Sequence, residues 1–193
     1  MKNKHIFLFY FTVLVLASCK TTEFGYKVFD VNGMIYDFSN RPIPHCSVTL
    51  DKKYKVSTDI NGRFMLSKIP AGDYNITGEK NGFETYSDNV IIKDKGQIIY
   101  IRMPSQNQLL ELADEALVNN NFAVAEEIIE RAYRIDQNNI EMLFYYATVT
   151  FRKREYSRAI AFLETARSLG SRDIYVEKFL SVLKEMQNAD QTK

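Results

Sequence analysis

The chain of 193 residues is long enough for two small domains, and its 46% hydrophobic content is ordinary for a globular protein. Its 25 Lys and Arg residues nearly balance its 24 Asp and Glu residues, so the net charge of +1 provides no strong positive field to attract nucleic acid. The chain has only two histidines, one of them near the N-terminus, which is too few for a tetrahedral zinc site. We therefore expect no nucleic-acid partner, no metal and no cofactor.

The N-terminal segment has the layout of a secretory signal. Lys2 and Lys4 precede an apolar run from Ile6 to Leu16, and small residues follow it. This order predicts a signal peptide over residues 1–18. The apolar run is shorter than the roughly 20 residues that a membrane-spanning helix needs.

The sequence at the end of this segment is Leu16-Ala17-Ser18-Cys19, which resembles the bacterial lipobox. The resemblance implies that acyl chains are attached to Cys19 after cleavage and that residues 19–25 form a tether. Lys20 follows the cysteine, which by the same resemblance favours the outer membrane within the bacterial cell envelope. An ordinary secretory signal with an incidental cysteine, or an uncleaved membrane anchor, is the alternative.

Residues 26–103 alternate between short strand patterns and turn signals. Seven strands at this spacing predict an antiparallel β-sandwich. The predicted strands are Val28–Tyr36, Ser47–Leu50, Tyr54–Thr58, Gly62–Leu66, Tyr74–Glu79, Glu84–Lys93 and Gln97–Arg102.

Two turn signals lie in the middle of this domain. Asp59-Ile60-Asn61-Gly62 contains the Asn-Gly pair of a tight turn, and Ile69-Pro70-Ala71-Gly72 contains a Pro-x-Gly turn. We expect the chain to fold back on itself at both. Asp59 and Asn61 also suggest a calcium loop, but further acids are missing at the required spacing, so side chains that cap backbone amides are the better interpretation.

Several motifs in order resemble the carboxypeptidase regulatory-like domain. They include Arg41-Pro42-Ile43-Pro44, Thr58-Asp59-x-x-Gly62-x-Phe64 and Ile69-Pro70-Ala71-Gly72-x-Tyr74. The resemblance implies a transthyretin-like sandwich of seven strands. It implies no catalysis, because in metallocarboxypeptidases the zinc ligands belong to a separate domain.

Some side chains of this domain are open to more than one interpretation. Cys46 stands where the family has a small residue, so we expect a buried, unreactive thiol, and we expect His45 to be an exposed loop residue. The aromatic residues Phe83, Tyr86 and Tyr100 either line a glycan-binding face or belong to the core and to cross-strand pairs. The second interpretation is the more common one for alternating aromatics in strands.

The composition changes after Met103, and residues 104–187 are predicted to be helical. Pro104 ends the last strand, and Ser105 with Gln108 forms a capping-box pattern. A sequence repeat follows, and its spacing matches the period of the tetratricopeptide repeat, which is about 34 residues. Its matching pairs are Leu109 and Leu143, Ala113 and Ala147, Phe122 and Tyr156, Ala125 and Ala159, Ile129 and Leu163, and Ala132 and Ala166.

The resemblance to tetratricopeptide repeats covers residues 106 to about 171. Ile174–Met186 is predicted to be a closing amphipathic helix with Val176, Phe179, Leu180 and Leu183 on its apolar side, and residues 188–193 are predicted to be frayed. Asp136-Gln137-Asn138 lacks the proline that the family usually has at the centre of this motif.

In the repeat family the first helix of each pair lines a groove that receives peptides. The resemblance assigns this role to Asn107, Leu110, Asp114, Leu117, Glu141, Phe144, Thr148 and Phe151. The alternative is that the sandwich or the closing helix fills the groove permanently. The basic run Arg152-Lys153-Arg154 is interpreted as a solvated helix end rather than a lipid-binding patch.

These features predict a two-domain protein, a seven-stranded antiparallel β-sandwich followed by a tetratricopeptide-like helical array. The predicted function is a lipid-anchored cell-envelope protein that binds or scaffolds other proteins through the helical groove, with the sandwich as a spacer or second binding face. A carbohydrate-binding surface lipoprotein is the alternative. No serine or cysteine nucleophile with its partners and no phosphate loop is recognisable, so we expect no enzymatic activity.

Overall fold

The computed structural model describes residues 27–191. The predicted signal peptide, Cys19, the tether and the last two residues lie outside this range. Within residues 27–191, seven strands and then five helices follow one another without interleaving, which confirms the predicted order of a β domain and then an α domain. The strands are β1 Val28–Tyr36, β2 Ser47–Leu50, β3 Tyr54–Ser57, β4 Arg63–Pro70, β5 Gly72–Glu79, β6 Tyr86–Ile92 and β7 Ile98–Arg102. The helices are α1 Gln106–Val118, α2 Phe122–Ile135, α3 Ile140–Arg152, α4 Tyr156–Ser168 and α5 Ile174–Gln191.

The strands form two sheets, one with the order β4-β1-β7 and one with the order β3-β2-β5-β6. Alternate side chains of β1, β2 and β4 point into the space between the sheets, as expected for strands with one buried face. The core of this sandwich includes Ile35, Leu50, Ile69 and Ile101, all of which have no exposed surface.

One pairing differs from the antiparallel prediction, because β1 and β7 run parallel. The chain reaches β7 by crossing from β6 in the other sheet, so hairpin geometry does not fix its direction. The remaining strand pairs are antiparallel.

The two predicted turns lie where the chain changes sheets rather than within hairpins. β3 and β5 belong to the second sheet and β4 to the first, so the chain crosses before Arg63 and again at Ala71. The Ala71 amide donates to the Lys27 carbonyl at the start of β1. Gly62 has a positive φ of 71°, and a Cβ there would lie 2.5 Å from the Ile35 carbonyl oxygen, so glycine is required.

The helices form hairpins whose starts repeat at the predicted interval. α1 begins at Gln106 and α3 one repeat period later at Ile140, while α2 and α4 begin at the equivalent residues Phe122 and Tyr156. The small residues of the repeat, Ala113, Ala125 and Ala132 with their counterparts in the second repeat, are completely buried. Their size allows the paired helices to approach closely.

The last helix is longer than predicted. α5 continues to Gln191, so residues 188–191 are helical where a frayed tail was expected. No glycine or proline ends the helix in this stretch, and the Gln187 amide donates to the Ser157 hydroxyl at 2.8 Å, which ties this part of α5 to α4.

Candidate functional site

The last helix occupies the place of a third repeat. α5 begins at Ile174, one repeat period after the start of α3 at Ile140. Helices α1, α3 and α5 are therefore equivalent first helices, and contacts join them in that order. Tyr145 of α3 lies near the Asp114 carboxylate of α1, and burial together with the negative charges of Asp114 and Glu141 raises the pKa of Tyr145. The ring of Phe144 in α3 meets the ring of Phe179 in α5 edge-on, with centroids 5.8 Å apart.

The eight predicted groove residues differ in how accessible they are. Asn107, Asp114 and Glu141 are exposed, whereas Leu117, Phe144, Thr148 and Phe151 are half-buried. The Thr148 hydroxyl donates to the Phe144 carbonyl of its own helix. Leu110 is only 2% exposed and belongs to the helical core. The prediction that Leu110 lines the partner groove is therefore wrong.

The closing helix covers part of the predicted groove. The ring of Phe179 lies 5.5 Å from that of Phe151 as well as 5.8 Å from that of Phe144. Phe151 in turn contacts the ring of Tyr156 at the start of α4. Of the two alternatives considered for the groove, occupation by the closing helix therefore applies to the Phe144–Phe151 part of the surface.

An open cleft remains at the other end of α3 and α5. Its volume is about 490 Å³, and it is lined by Ile140, Glu141, Phe144, Asp173, Tyr175 and Val176. We call these six residues the α3/α5 cleft. Tyr175 is 68% exposed, while Val176 is buried and closes the floor. The cleft thus combines an apolar floor and an accessible aromatic ring with two carboxylates on its rim.

Of the residues that line this cleft, Glu141 and Phe144 are among the predicted groove residues, but Tyr175 is not. The signal was available, because Tyr175 follows Glu141 by one further repeat period. Treating the last helix only as a cover for the core hid this equivalence.

A second arrangement joins the two domains. The Arg131 guanidinium of α2 donates to both carboxylate oxygens of Glu84, in the segment between β5 and β6, at 2.8 and 2.7 Å. These hydrogen bonds lower the pKa of Glu84 and raise that of Arg131. The Gln108 side chain both completes the capping box with Ser105 and donates to the Ser39 hydroxyl of the sandwich at 2.9 Å. Backbone bonds add to the joint, since the Gln106 amide donates to the Gly82 carbonyl.

Comparison with known families agrees with this division of the chain. Residues 30–102 match the family model of the carboxypeptidase regulatory-like domain, and residues 118–191 match that of anaphase-promoting complex, cyclosome, subunit 3, which is of the tetratricopeptide type. The chain carries a carboxypeptidase regulatory-like domain followed by a tetratricopeptide-like domain. Both matched models describe regulatory or repeat domains rather than enzymes.

Likenesses to solved structures are weaker. A chain of a type II cohesin–X-dockerin complex from Acetivibrio cellulolyticus is 21% identical, with a TM-score of 0.36, and the match covers 42% of this chain and 60% of that one, less than two thirds of its length. Catechol 1,2-dioxygenase from Pseudomonas arvilla is 10% identical, with a TM-score of 0.35 and coverage of 42% and 53%. A candidate carbohydrate-binding protein from Pseudomonas aeruginosa is 17% identical, with a TM-score of 0.33 and coverage of 40% and 89%. No curated protein matches the chain.

Within the regulatory-like domain, the residues that suggested chemistry have structural roles. Cys46 is completely buried, and burial raises the pKa of its thiol, which donates to the Glu79 carbonyl. His45 is exposed, as predicted. The Asp59 carboxylate accepts from the amides of Asn61 and Arg63, both at 2.8 Å, which confirms the backbone-capping interpretation of this turn.

The three aromatics of the regulatory-like domain do not share a face. Tyr86 lies in the second sheet and Tyr100 in the first. Phe83 and Tyr86 pack against the core, whereas Tyr100 is 65% exposed. They therefore do not form an aromatic platform for a glycan.

The basic run at the end of α3 has local partners. The Lys153 ammonium contacts the Glu126 carboxylate of α2 at 2.7 Å, and the Arg152 guanidinium lies over the Phe122 ring. This agrees with a helix end that faces solvent. Across residues 27–191, no helix is both long and apolar enough to cross a membrane, and no three potential ligand side chains lie close enough to hold a metal ion.

Proposed function

We propose that the protein is a lipid-anchored component of the cell envelope that binds other proteins through its tetratricopeptide-like domain. The regulatory-like domain then holds this domain at a fixed orientation from the membrane. The observation that supports the proposal most directly is the α3/α5 cleft, which lies between two equivalent first helices and keeps an exposed tyrosine at its edge.

The chemistry of the cleft defines the partner. Its floor, formed by Ile140, Phe144 and Val176, suits an apolar side chain. Glu141 and Asp173 on its rim suit a lysine or arginine next to that side chain. We therefore propose an extended or helical segment in which an apolar residue is flanked by a basic one. The exposed Tyr175 ring supplies contact area at little entropic cost.

The test is a pull-down from detergent-solubilised envelopes with the wild-type chain and with the double variant Glu141→Lys/Tyr175→Ala. Both side chains are exposed, so the variant keeps the fold. A control, Glu127→Lys/Val124→Ala, makes similar changes on the exposed side of α2. The proposal requires a reproducible partner that the cleft variant loses by at least tenfold and the control retains. A partner retained by both variants would assign binding to another surface.

The membrane attachment is tested separately. Cys19→Ala should abolish incorporation of a labelled fatty acid and release the protein from the membrane fraction, because two or three acyl chains are needed for stable attachment. A density gradient that separates inner from outer membranes checks the proposed outer-membrane address. If Cys19→Ala takes up no fatty acid but stays in the membrane fraction, the proposal that acyl chains at Cys19 anchor the protein is contradicted.

Carbohydrate binding by the regulatory-like domain is the second candidate function. It is favoured by a polar cleft of about 520 Å³ on the second sheet, which is lined by Thr49, Asp51, Lys52, Asn75, Thr77 and Glu79. Such side chains suit a polyhydroxyl ligand, although no aromatic ring lines this cleft. A glycan array probed with the Cys19→Ser chain tests it, with Thr49→Ala/Asn75→Ala as the variant that should lose any signal.

A further inference from the structure

The outer face of the β4-β1-β7 sheet carries an exposed apolar surface. Val28, Met65, Ile98 and Tyr100 are 51%, 55%, 47% and 65% exposed. The register places Met65 and Ile98 on either side of Asn32, so the two side chains lie in one row across the sheet. Large apolar side chains that are grouped in this way on a sheet usually mark a surface that something covers.

Lysines border this surface at the end where the described chain begins. Lys27, Lys68 and Lys95 line one cleft of about 640 Å³ together with Val28 and Met65. One acidic side chain, that of Asp30, also lines this cleft, and its carboxylate accepts a hydrogen bond from the Lys68 amide. The cleft therefore has a local excess of positive charge in a chain whose total charge is nearly balanced.

The position of this surface follows from the length of the tether. Lys27 is eight residues from Cys19, and eight residues span at most about 28 Å when fully extended. If Cys19 carries the acyl chains, the lysines and the apolar row are held within this distance of the headgroups. A short tether of this kind gives a weak second contact a high effective concentration.

We propose that this face docks on the surface of a bilayer containing anionic lipid, with the three lysines against the headgroups and Val28, Met65 and Ile98 at the interface. The proposal rests on the lipid anchor of the proposed function, which brings the face to the membrane. Clustered lysines and exposed apolar side chains are the two components of interfacial binding. Docking fixes the orientation of the sandwich and, through the Glu84–Arg131 joint, that of the helical domain.

The experiment uses residues 19–193 with Cys19→Ser, so that no acyl chain contributes. Sedimentation with vesicles of phosphatidylcholine alone, or of phosphatidylcholine and phosphatidylglycerol in equal amounts, is measured at low salt. We expect at least tenfold stronger partitioning to the anionic vesicles, because each lysine near an anionic surface contributes about fivefold. The triple variant Lys27→Glu/Lys68→Glu/Lys95→Glu should remove this difference. Met65→Ser/Ile98→Ser should remove the binding that persists at high salt, where lysine contributions are screened.

The matched control is Lys52→Glu/Lys53→Glu/Lys55→Glu, which changes the charge equally at the β2–β3 end of the other sheet, where all three lysines are exposed. It should keep the binding within about threefold. Equal loss in both triple variants would reduce the effect to net charge and overturn the proposal, as would absence of vesicle binding at low salt. A dimer in light scattering that Met65→Ser/Ile98→Ser dissolves would assign the face to a second copy of the chain instead.

The result is independent of the anchor itself. A protein that binds anionic vesicles but is not acylated in cells would contradict the proposed lipid anchor and keep the docking face. A protein that is acylated in cells but whose Cys19→Ser chain does not bind the vesicles would keep the proposed lipid anchor and contradict the docking face.

Discussion

The guanidinium of Arg131 donates two hydrogen bonds to the carboxylate of Glu84, and the two side chains come from different domains 47 residues apart in the chain. Each side chain is 28% exposed, so the pair is shielded from water on most sides. A bidentate contact of this kind restricts both the distance and the angle between the guanidinium and the carboxylate. The pair therefore helps to fix the relative orientation of the sandwich and the helices, together with the Gln108–Ser39 and Gln106–Gly82 hydrogen bonds.

Breaking the pair should weaken the coupling between the domains. We expect Glu84→Gln or Arg131→Met to lower the free energy of unfolding by about 1–2 kcal/mol, because the remaining charge keeps a partly shielded position without its partner. A double-mutant cycle with both changes, followed by denaturant unfolding, measures the interaction directly. Additive effects of the two single variants would show that the pair contributes nothing.

The same pair predicts a pH dependence. The hydrogen bonds from Arg131 hold the pKa of Glu84 below its usual value of 4.5, so the folded state binds this proton less readily than the unfolded state. The stability from the pair is complete above pH 4.5 and is lost as the pH falls through the lowered pKa of the folded state. The stability difference between wild type and Glu84→Gln should therefore shrink below pH 4.5. A difference that stays constant as the pH is lowered further would contradict the assignment.

Gln106 offers a test of how the first repeat is closed. Its buried amide nitrogen donates to the carbonyls of Ala132 and Asp136, both at 2.9 Å, and its oxygen accepts from the Asn139 side chain at 2.8 Å. Gln106→Leu leaves these groups without their partner, and we expect a loss of about 2–3 kcal/mol in unfolding free energy. Asn107→Leu, at the exposed neighbouring position, is the control and should change stability by less than about 0.5 kcal/mol.

The features that sequence reasoning predicted are those set by local patterns. The strand bounds agree within a few residues, since alternation and turn residues are local signals. The Ser105–Gln108 capping box is likewise encoded within one helical turn. The regular spacing of the small alanines is encoded by the repeat period.

The features that escaped are contacts between distant segments. Neither the parallel pairing of β1 with β7 nor the burial of Leu110 is visible in the residues around them. The partners of Gln108 and Arg131 lie in the sandwich, far away in the sequence, and neither a capping residue nor an arginine within a helix indicates such a partner. For the α3/α5 cleft, the predicted groove residues include members of α3 but none of α5. The α5 side follows only when the repeat period is extended into the last helix.

Gly33 in β1 should not tolerate a side chain. A Cβ at this position would lie 2.1 Å from a ring carbon of Phe64 and 2.8 Å from the Ile99 carbonyl oxygen. We expect Gly33→Ala to lower the unfolding free energy by about 3 kcal/mol or more. Adding Phe64→Leu should recover only part of this, because the clash with the backbone oxygen remains. Gly72→Ala is the control, since the nearest atom there is 3.5 Å away, and thermal unfolding of the four chains makes the comparison.

The thiol of Cys46 should be unreactive in the native protein. It has no exposed surface, and burial raises its pKa from 9.0, so little thiolate forms near neutral pH. In a Cys19→Ser chain, a disulfide reagent should label Cys46 at least a hundredfold more slowly than in denaturant. Rapid labelling without denaturant would mean that the sandwich opens at this edge far more often than its packing implies.

Phe179 tests how strongly the packing of α5 against α3 stabilises the helical domain. The centroid of its ring lies 5.8 Å from that of Phe144 and 5.5 Å from that of Phe151, both in α3. These ring contacts join α5 to α3. Because the side chain is half-buried, we expect Phe179→Ala to lower the unfolding free energy by about 2 kcal/mol, less than for a fully buried ring. Tyr175→Ala on the same helix, at an exposed position, should cost less than about 0.5 kcal/mol.

The same variant should also change the surface available to ligands. Losing the Phe179 ring exposes Phe144 and Phe151, so Phe179→Ala should bind more of a dye that reports apolar surface, and a Phe179→Leu variant should restore most of the wild-type signal. If Phe179→Ala binds the dye and unfolds like the wild type, then α5 does not cover these rings in solution. In that case the partner surface would extend along the whole of α3, from the α3/α5 cleft to Phe151.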